Sequence, residues 1–293
     1  MQARRLTAGG VAIQIEDHGA SGTPVLLLHF SGANLRMWDP IIPHLQPARR
    51  CVAVDLRAHG RSDAPPSGYH ANDFADDVAG VIDALEIGRA HVIGCSLGAE
   101  VGLALAARDP GKVASLVCDG ALASEYGAYG TRDAPSLAED AEVQERLRAM
   151  EERPEKVYES SESLVEVTRA LYEGSQYWND ALERMTAYGV VETGDGAFVS
   201  AWRKRARDAY MRGYFELRVE NYYPCVSCPV LMLPDEETKA DEQAFEIVTR
   251  LSELPGDCEV VVVPGSDHPF GWMLIPDAMA DTVVRFFRRV EGR

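Results

Sequence analysis

The chain has 293 residues, 46% of them hydrophobic and 26% charged, which is enough apolar content for one large α/β domain or a core domain carrying an insertion, and excludes global disorder. Twenty-nine Lys and Arg against 46 Asp and Glu leave a formal net charge of −17; such a surface repels phosphate backbones and anionic headgroups, so neither nucleic acid nor membrane is expected as a partner. No run of about 18 apolar residues exists to span a bilayer, and the first ten residues lack the apolar segment of a signal peptide, so a cytoplasmic protein acting on a small molecule is expected.

Along the chain, two short runs around Ala8-Gly9-Gly10 predict a hairpin over about residues 3–16, its second arm alternating apolar and polar positions from Val11 to Ile15. Short apolar runs bounded by turn residues follow at 25–28, 51–54, 91–93, 113–118, 230–233 and 259–263, the pattern of parallel strands buried on both faces. Helical patterns lie between them. Residues 72–85 carry Phe74, Val78, Val81, Ile82 and Leu85 on one face, with Asn72 as the N-cap, and 97–108, 241–254 and 276–290 complete the set. This alternation predicts an α/β fold, a mostly parallel central sheet flanked by helices. It breaks once, over 121–224, where helix formers, acidic residues and many aromatics replace any strand pattern. A gap of that length is too long for a connection, so a helical cap subdomain (121–224) is expected between the two parts of the core (1–120 and 225–293).

In an open parallel sheet, chemistry collects at the carboxyl ends of the strands. The first such end is Gly94-Cys95-Ser96-Leu97-Gly98, a G-x-S-x-G turn between a buried strand and a helix. So tight a turn pushes its central side chain above the sheet, at a helix N-terminus that favours developing negative charge. Cys95 is a rival nucleophile by residue type, but strand alternation points its thiol into the sheet. A serine hydroxyl needs a base, and of the seven histidines only His268, just past the last strand, has the position and chain order for one. The imidazole in turn needs a carboxylate to fix its tautomer, and Asp235, Glu236 and Glu237 follow the strand at 230–233.

The six cysteines (Cys51, Cys95, Cys118, Cys225, Cys228 and Cys258) are too few for a disulfide scaffold at this size. Cys225 and Cys228 form a lone C-x-x-C with no second ligand pair, followed by Pro229 and a strand rather than opening a helix. No metal and no cofactor is expected.

These motifs resemble the α/β-hydrolase family over about residues 10–120 and 228–290. Besides the elbow, Asp55-Leu-Arg-Ala-His59-Gly60-Arg-Ser62 is similar to the family's D-x-R-G-H-G-x-S turn, which shapes a loop and implies no chemical role for Arg57 or His59. The resemblance implies that the insertion is a cap over the site. It also implies an acid three residues after the residue that ends the strand, Pro234 here, which selects Glu237 over Asp235; some members instead use the position of Asp119. The family's oxyanion donors map onto the backbone N–H groups of Ser31 and Leu97, with Phe30 as a further candidate because His29-Phe30-Ser31 replaces the usual His-Gly-x. His29 is then a brace for the loop.

Together these residues predict a serine hydrolase of a neutral, apolar ester or lactone, working through an acyl-enzyme on Ser96, His268 and Glu237, with Asp235 and Asp119 as alternative acids. The same triad would serve carbon–carbon bond hydrolysis or acyl transfer. A ligand-binding or receptor protein that keeps the fold and turns over negligibly is the alternative from outside enzymology.

Overall fold

The computed structural model describes residues 1–292 apart from 20 and 121. Strands β1 (Gln2–Ala8) and β2 (Val11–His18) form the expected hairpin, and β3 (Val25–Leu28) and β4 (Cys51–Val54) follow, with a one-turn helix α1 (Ile42–Leu45) between them. Then come α2 (Ala71–Ala84), β5 (Ala90–Cys95), α3 (Leu97–Arg108) and β6 (Val113–Asp119). The next stretch contributes α4 (Ala141–Glu152), α5 (Ser161–Leu171), α6 (Asp180–Tyr188), the short strands β7 (Val190–Glu192) and β8 (Phe198–Ser200), and α7 (Lys204–Glu216). The chain returns through β9 (Val230–Leu233), α8 (Glu236–Ala240), α9 (Glu242–Ser252), β10 (Cys258–Val260), α10 (Gly271–Leu274) and α11 (Pro276–Glu291).

Eight strands make one sheet in the order β1-β2-β4-β3-β5-β6-β9-β10. The pairs β1/β2 and β2/β4 are antiparallel and the rest parallel. The four-residue strands β3, β4 and β9 are buried along their whole length, because helices cover both faces and leave no side for polar residues. On one face α2, α3 and α9 bury Phe74, Val78, Leu103, Val248 and Leu251. On the other, α1, α10 and α11 bury Ile42, Trp272, Val283, Phe286 and Phe287. Each such side chain contributes roughly 1.5–3 kcal/mol of burial.

Three details differ from the sequence expectation. The N-cap of α2 is His70, not Asn72: its backbone is extended, its Nδ1 accepts from Asn72 N–H at 3.2 Å, and Asp73 accepts from its N–H at 2.9 Å. The last strand is Cys258–Val260 rather than 259–263, since only three residues pair with β9 in ladder register. The stretch between β6 and β9 is not wholly helical: β7 and β8 form an antiparallel hairpin whose three-residue arms are too short to show alternation. Its expected first residue, 121, lies outside the described residues.

Tyrosine hydroxyls fasten that stretch to the sheet domain. Tyr177 donates to Asp267 at 2.5 Å, Tyr188 to Asp55 at 3.0 Å and Tyr210 to Glu100 at 2.9 Å. Among the described residues no helix is long and apolar enough to cross a membrane.

Candidate active site

The turn from β5 into α3 places Ser96 at φ 50° and ψ −118°, a region that a residue with a Cβ occupies only under strain, of order 1–3 kcal/mol. Its neighbours explain how the turn closes. A Cβ on Gly98 would lie 2.0 Å from the Leu28 carbonyl oxygen, and one on Gly94 2.2 Å from the Gly98 carbonyl oxygen, so both positions exclude any side chain. The Ser96 N–H donates to the Asp119 carbonyl at 2.7 Å, which ties the elbow to the end of β6, while its hydroxyl has no partner among the described residues.

Asp119 ends β6 in register with Cys95, one residue before the elbow. One carboxylate oxygen stands 3.2 Å from His268 Nδ1, and the other accepts from Nε1–H of the fully buried Trp272. With Nδ1 committed to Asp119, Nε2 is the nitrogen left to accept a proton. The imidazole rests on Gly120, whose φ is +66° and where a Cβ would come within 2.1 Å of Cε1. Only glycine allows both that backbone and that ring. Burial alone would lower the His268 pKa, but the charges of Asp119, Asp235 and Asp267, with the Asp119 hydrogen bond, outweigh it and hold the group above its ordinary 6.5.

The expectation that Glu237 orients the imidazole is corrected here. Glu237 sits exposed in the first turn of α8, and its carboxylate makes no hydrogen bond or ion pair among the described residues. Asp235 is the N-cap of α8, accepting from Thr238 N–H at 2.8 Å, and its other oxygen accepts from the His268 backbone N–H at 3.2 Å. Burial would raise its pKa, but the Thr238 and His268 hydrogen bonds prevail and lower it. The two acids divide the work: Asp119 holds the ring and Asp235 holds the chain that carries it. Asp119 had a signal in the sequence, a carboxylate followed by glycine at the end of an apolar strand. Trp272 had none.

The loop after β3 carries the candidate oxyanion donors. His59 Nε2 accepts from Gly32 N–H at 3.0 Å, and the Phe30 carbonyl accepts from Ala33 N–H at 3.1 Å, whereas the N–H groups of Phe30, Ser31 and Leu97 meet no acceptor among the described residues. His29 is a brace. Its Nε2 accepts from Leu56 N–H at 3.1 Å, so Nδ1 carries the proton and donates to the Phe30 carbonyl at 2.8 Å. Burial pushes its pKa down to about 4, so the ring is neutral at pH 7. His59 lies edge-on to His29 at 4.8 Å and stacks on Trp202 at 3.9 Å. Arg57 forks onto Asp77 at 2.6 and 2.7 Å. The Asp55–Ser62 turn is thus scaffolding.

Two cavities lie near these loops, one of which reaches the histidine. One of about 310 Å³ is lined by Phe30, Ser31, Tyr172, Leu182, Met185 and Phe270. The other, about 290 Å³, touches His268 itself together with Gly120, Leu122, Glu125, Tyr214 and Glu237. Cys95 is fully buried with its sulfur 3.8 Å from the Pro269 carbonyl, and burial, then Asp119, push its thiol pKa well up, so it is no nucleophile.

Comparison with known proteins agrees with this architecture. A family model described as alpha/beta hydrolase fold matches residues 23–167. The 2-(acetamidomethylene)succinate hydrolase of Mesorhizobium japonicum is 32% identical over 270 residues, 90% of this chain and 88% of that protein. The 2-hydroxymuconate semialdehyde hydrolase of a Pseudomonas species is 34% identical over 145 residues, 46% of this chain and 51% of that one. The crystal structure of E-2-(acetamidomethylene)succinate hydrolase superposes with a TM-score of 0.78 at 28% identity, covering 98% of both chains. With its elbow serine, its mostly parallel sheet and a relative matched over nearly its whole length, the chain belongs to the α/β-hydrolase fold family.

Proposed function

We propose that the protein is a serine hydrolase that works through an acyl-enzyme. Ser96 attacks a carbonyl carbon while Nε2 of His268 takes the hydroxyl proton, and Asp119 steadies the imidazolium that results. The N–H groups of Ser31 and Leu97 receive the oxyanion, each worth about 3 kcal/mol in the transition state. His268 then passes its proton to the leaving group and next draws one from the water that releases the acyl group. The observation that carries this reading is the Asp119–His268 pair at 3.2 Å, seated on Gly120 beside the strained Ser96.

Residues 121–224 act as the cap that excludes water from this chemistry. The cavity of about 310 Å³ beside Ser31 is of a size for a small ligand, and it mixes apolar residues (Phe30, Leu182, Met185, Phe270) with polar ones (Asn34, Thr168, Thr186, Ser200), a lining that suits a neutral ester or lactone. A second reading on the same residues draws on the relatives: hydrolysis of compounds such as a 2-hydroxymuconate semialdehyde, by carbon–carbon cleavage, or an acetamidomethylene-succinate.

A fluorophosphonate probe read by intact mass tests the nucleophile, with a single adduct expected on the native chain and none on Ser96→Ala. An unlabelled native chain would leave a ligand-binding protein as the better reading. A panel of aryl esters, lactones and those two acids, compared by kcat/KM, separates the substrate classes.

A further inference from the structure

Cys95 and Asp119 are partners across parallel strands, in register at the carboxyl ends of β5 and β6 and directed to the face of the sheet that holds Trp272. The ring of His268 comes down on the same spot. A thiol sulfur, a carboxylate oxygen and an imidazole nitrogen therefore all lie within 4.8 Å of one another. We propose that this trio is an inhibitory binding site for a thiophilic divalent cation, Zn²⁺ above all, set inside the catalytic machinery rather than beside it.

The donor set is the one zinc selects, sulfur with imidazole and carboxylate. Bond lengths of about 2.0–2.2 Å to nitrogen and oxygen put two ligands of a tetrahedral ion about 3.3 Å apart, and His268 Nδ1 and Asp119 Oδ1 already stand 3.2 Å apart. Only the thiol must adjust, by about 1 Å, to bring a zinc–sulfur bond to about 2.3 Å. The cavity of about 290 Å³ borders His268, whose side chain is 27% exposed, but is lined by neither Cys95 nor Asp119, so the ion and the water in its fourth position would enter past the imidazole.

Binding has a defined proton inventory. The ion takes the Cys95 sulfur as thiolate, which releases one proton to solvent. It takes the Nδ1 lone pair, so the proton of the neutral imidazole moves to Nε2, and Asp119 exchanges its hydrogen bond to Nδ1 for a bond to the metal. An imidazole metallated at Nδ1 and protonated at Nε2 has no lone pair for the Ser96 proton. The loss of turnover rests on His268 being the base, as proposed above; the binding itself does not.

The test uses the full chain with Co²⁺ and Zn²⁺ in turn. Co²⁺ reports the bond to sulfur through its thiolate charge-transfer absorption, whether or not the protein turns over. The native chain and Cys225→Ala, which removes an exposed thiol elsewhere, are expected to bind one Co²⁺ with that band and to lose ester hydrolysis as Zn²⁺ is added. Cys95→Ala and the more conservative Cys95→Ser should lack the band and, each measured against its own metal-free rate, need on the order of tenfold or more Zn²⁺ for half-inhibition. A band absent from the native chain, or a band and Zn²⁺ sensitivity that survive in Cys95→Ser, overturns the proposal. A band that depends on Cys95 in a chain that hydrolyses nothing sustains the site and refutes the serine-hydrolase reading instead.

Discussion

Replacing Asp119 by Asn is the sharpest test of which acid serves the histidine. The change keeps the shape of the side chain and its contact with Trp272 but removes the charge 3.2 Å from His268 Nδ1. An amide N–H turned toward Nδ1 favours the tautomer with its proton on Nε2, which cannot accept from Ser96. Loss of the orienting carboxylate in such a triad costs about 10⁴ in kcat, or about 5 kcal/mol of transition-state stabilisation. Glu237→Gln, on the exposed first turn of α8, should leave kcat within about twofold, since exposed changes that break no contact have small effects. A pH profile adds an independent readout. The native limb reports a histidine whose pKa is raised above the ordinary 6.5, with activity lost as pH falls through that raised pKa; in Asp119→Asn the leading charge is gone, burial gains, and the limb moves to lower pH. Steady-state kinetics on one aryl ester, with circular dichroism to confirm folding, decides the matter. If Asp119→Asn retains full kcat and Glu237→Gln loses it, the assignment made from the structure is refuted.

Other perturbations probe the supports. Gly120→Ala places a methyl group 2.1 Å from the imidazole at a φ of +66°, so kcat should fall about 100-fold or more while the far-ultraviolet spectrum is kept; unchanged kinetics would show the ring has another seat. Trp272→Phe keeps an aromatic ring but strips a donor from the buried Asp119 carboxylate, which should cost about 1–3 kcal/mol and lower Tm by roughly 2–6 °C in a calorimetric scan. Glu100, buried beneath the Tyr210 hydroxyl, has its pKa pushed up to about 7 by burial. Its folded value lies above the unfolded one, so its contribution to stability declines as pH rises from about 4.5 to 7. Glu100→Gln should therefore raise Tm at pH 8, by up to about 3 kcal/mol of stability, and do little at pH 4; equal effects at both would contradict the assignment.

Much of this protein was written locally. The buried strands at 25–28, 51–54 and 230–233 came out at the predicted bounds, because a strand covered on both faces must be apolar at every position and so announces its own length. The elbow was equally legible, since Gly94 and Gly98 are dictated by contacts within one turn and with one adjacent strand. The hairpin β7/β8 was not, for three residues per arm carry too little periodicity. The histidine's acid lay beyond sequence reasoning for a different reason. Asp119, Asp235 and Glu237 are all carboxylates at or just beyond strand ends, and the glycine after Asp119 is a hint too weak to rank it above the others. The choice depends on which oxygen arrives 3.2 Å from an imidazole 149 residues later in the chain, with an indole N–H and a bare glycine completing the pocket. Residue type and spacing therefore set the fold and the kind of chemistry, because those follow from short-range sterics and burial. The pairing of charges across the sheet was decided by tertiary packing alone, because a hydrogen bond is sensitive to a fraction of an ångström and sequence carries distance only along the chain.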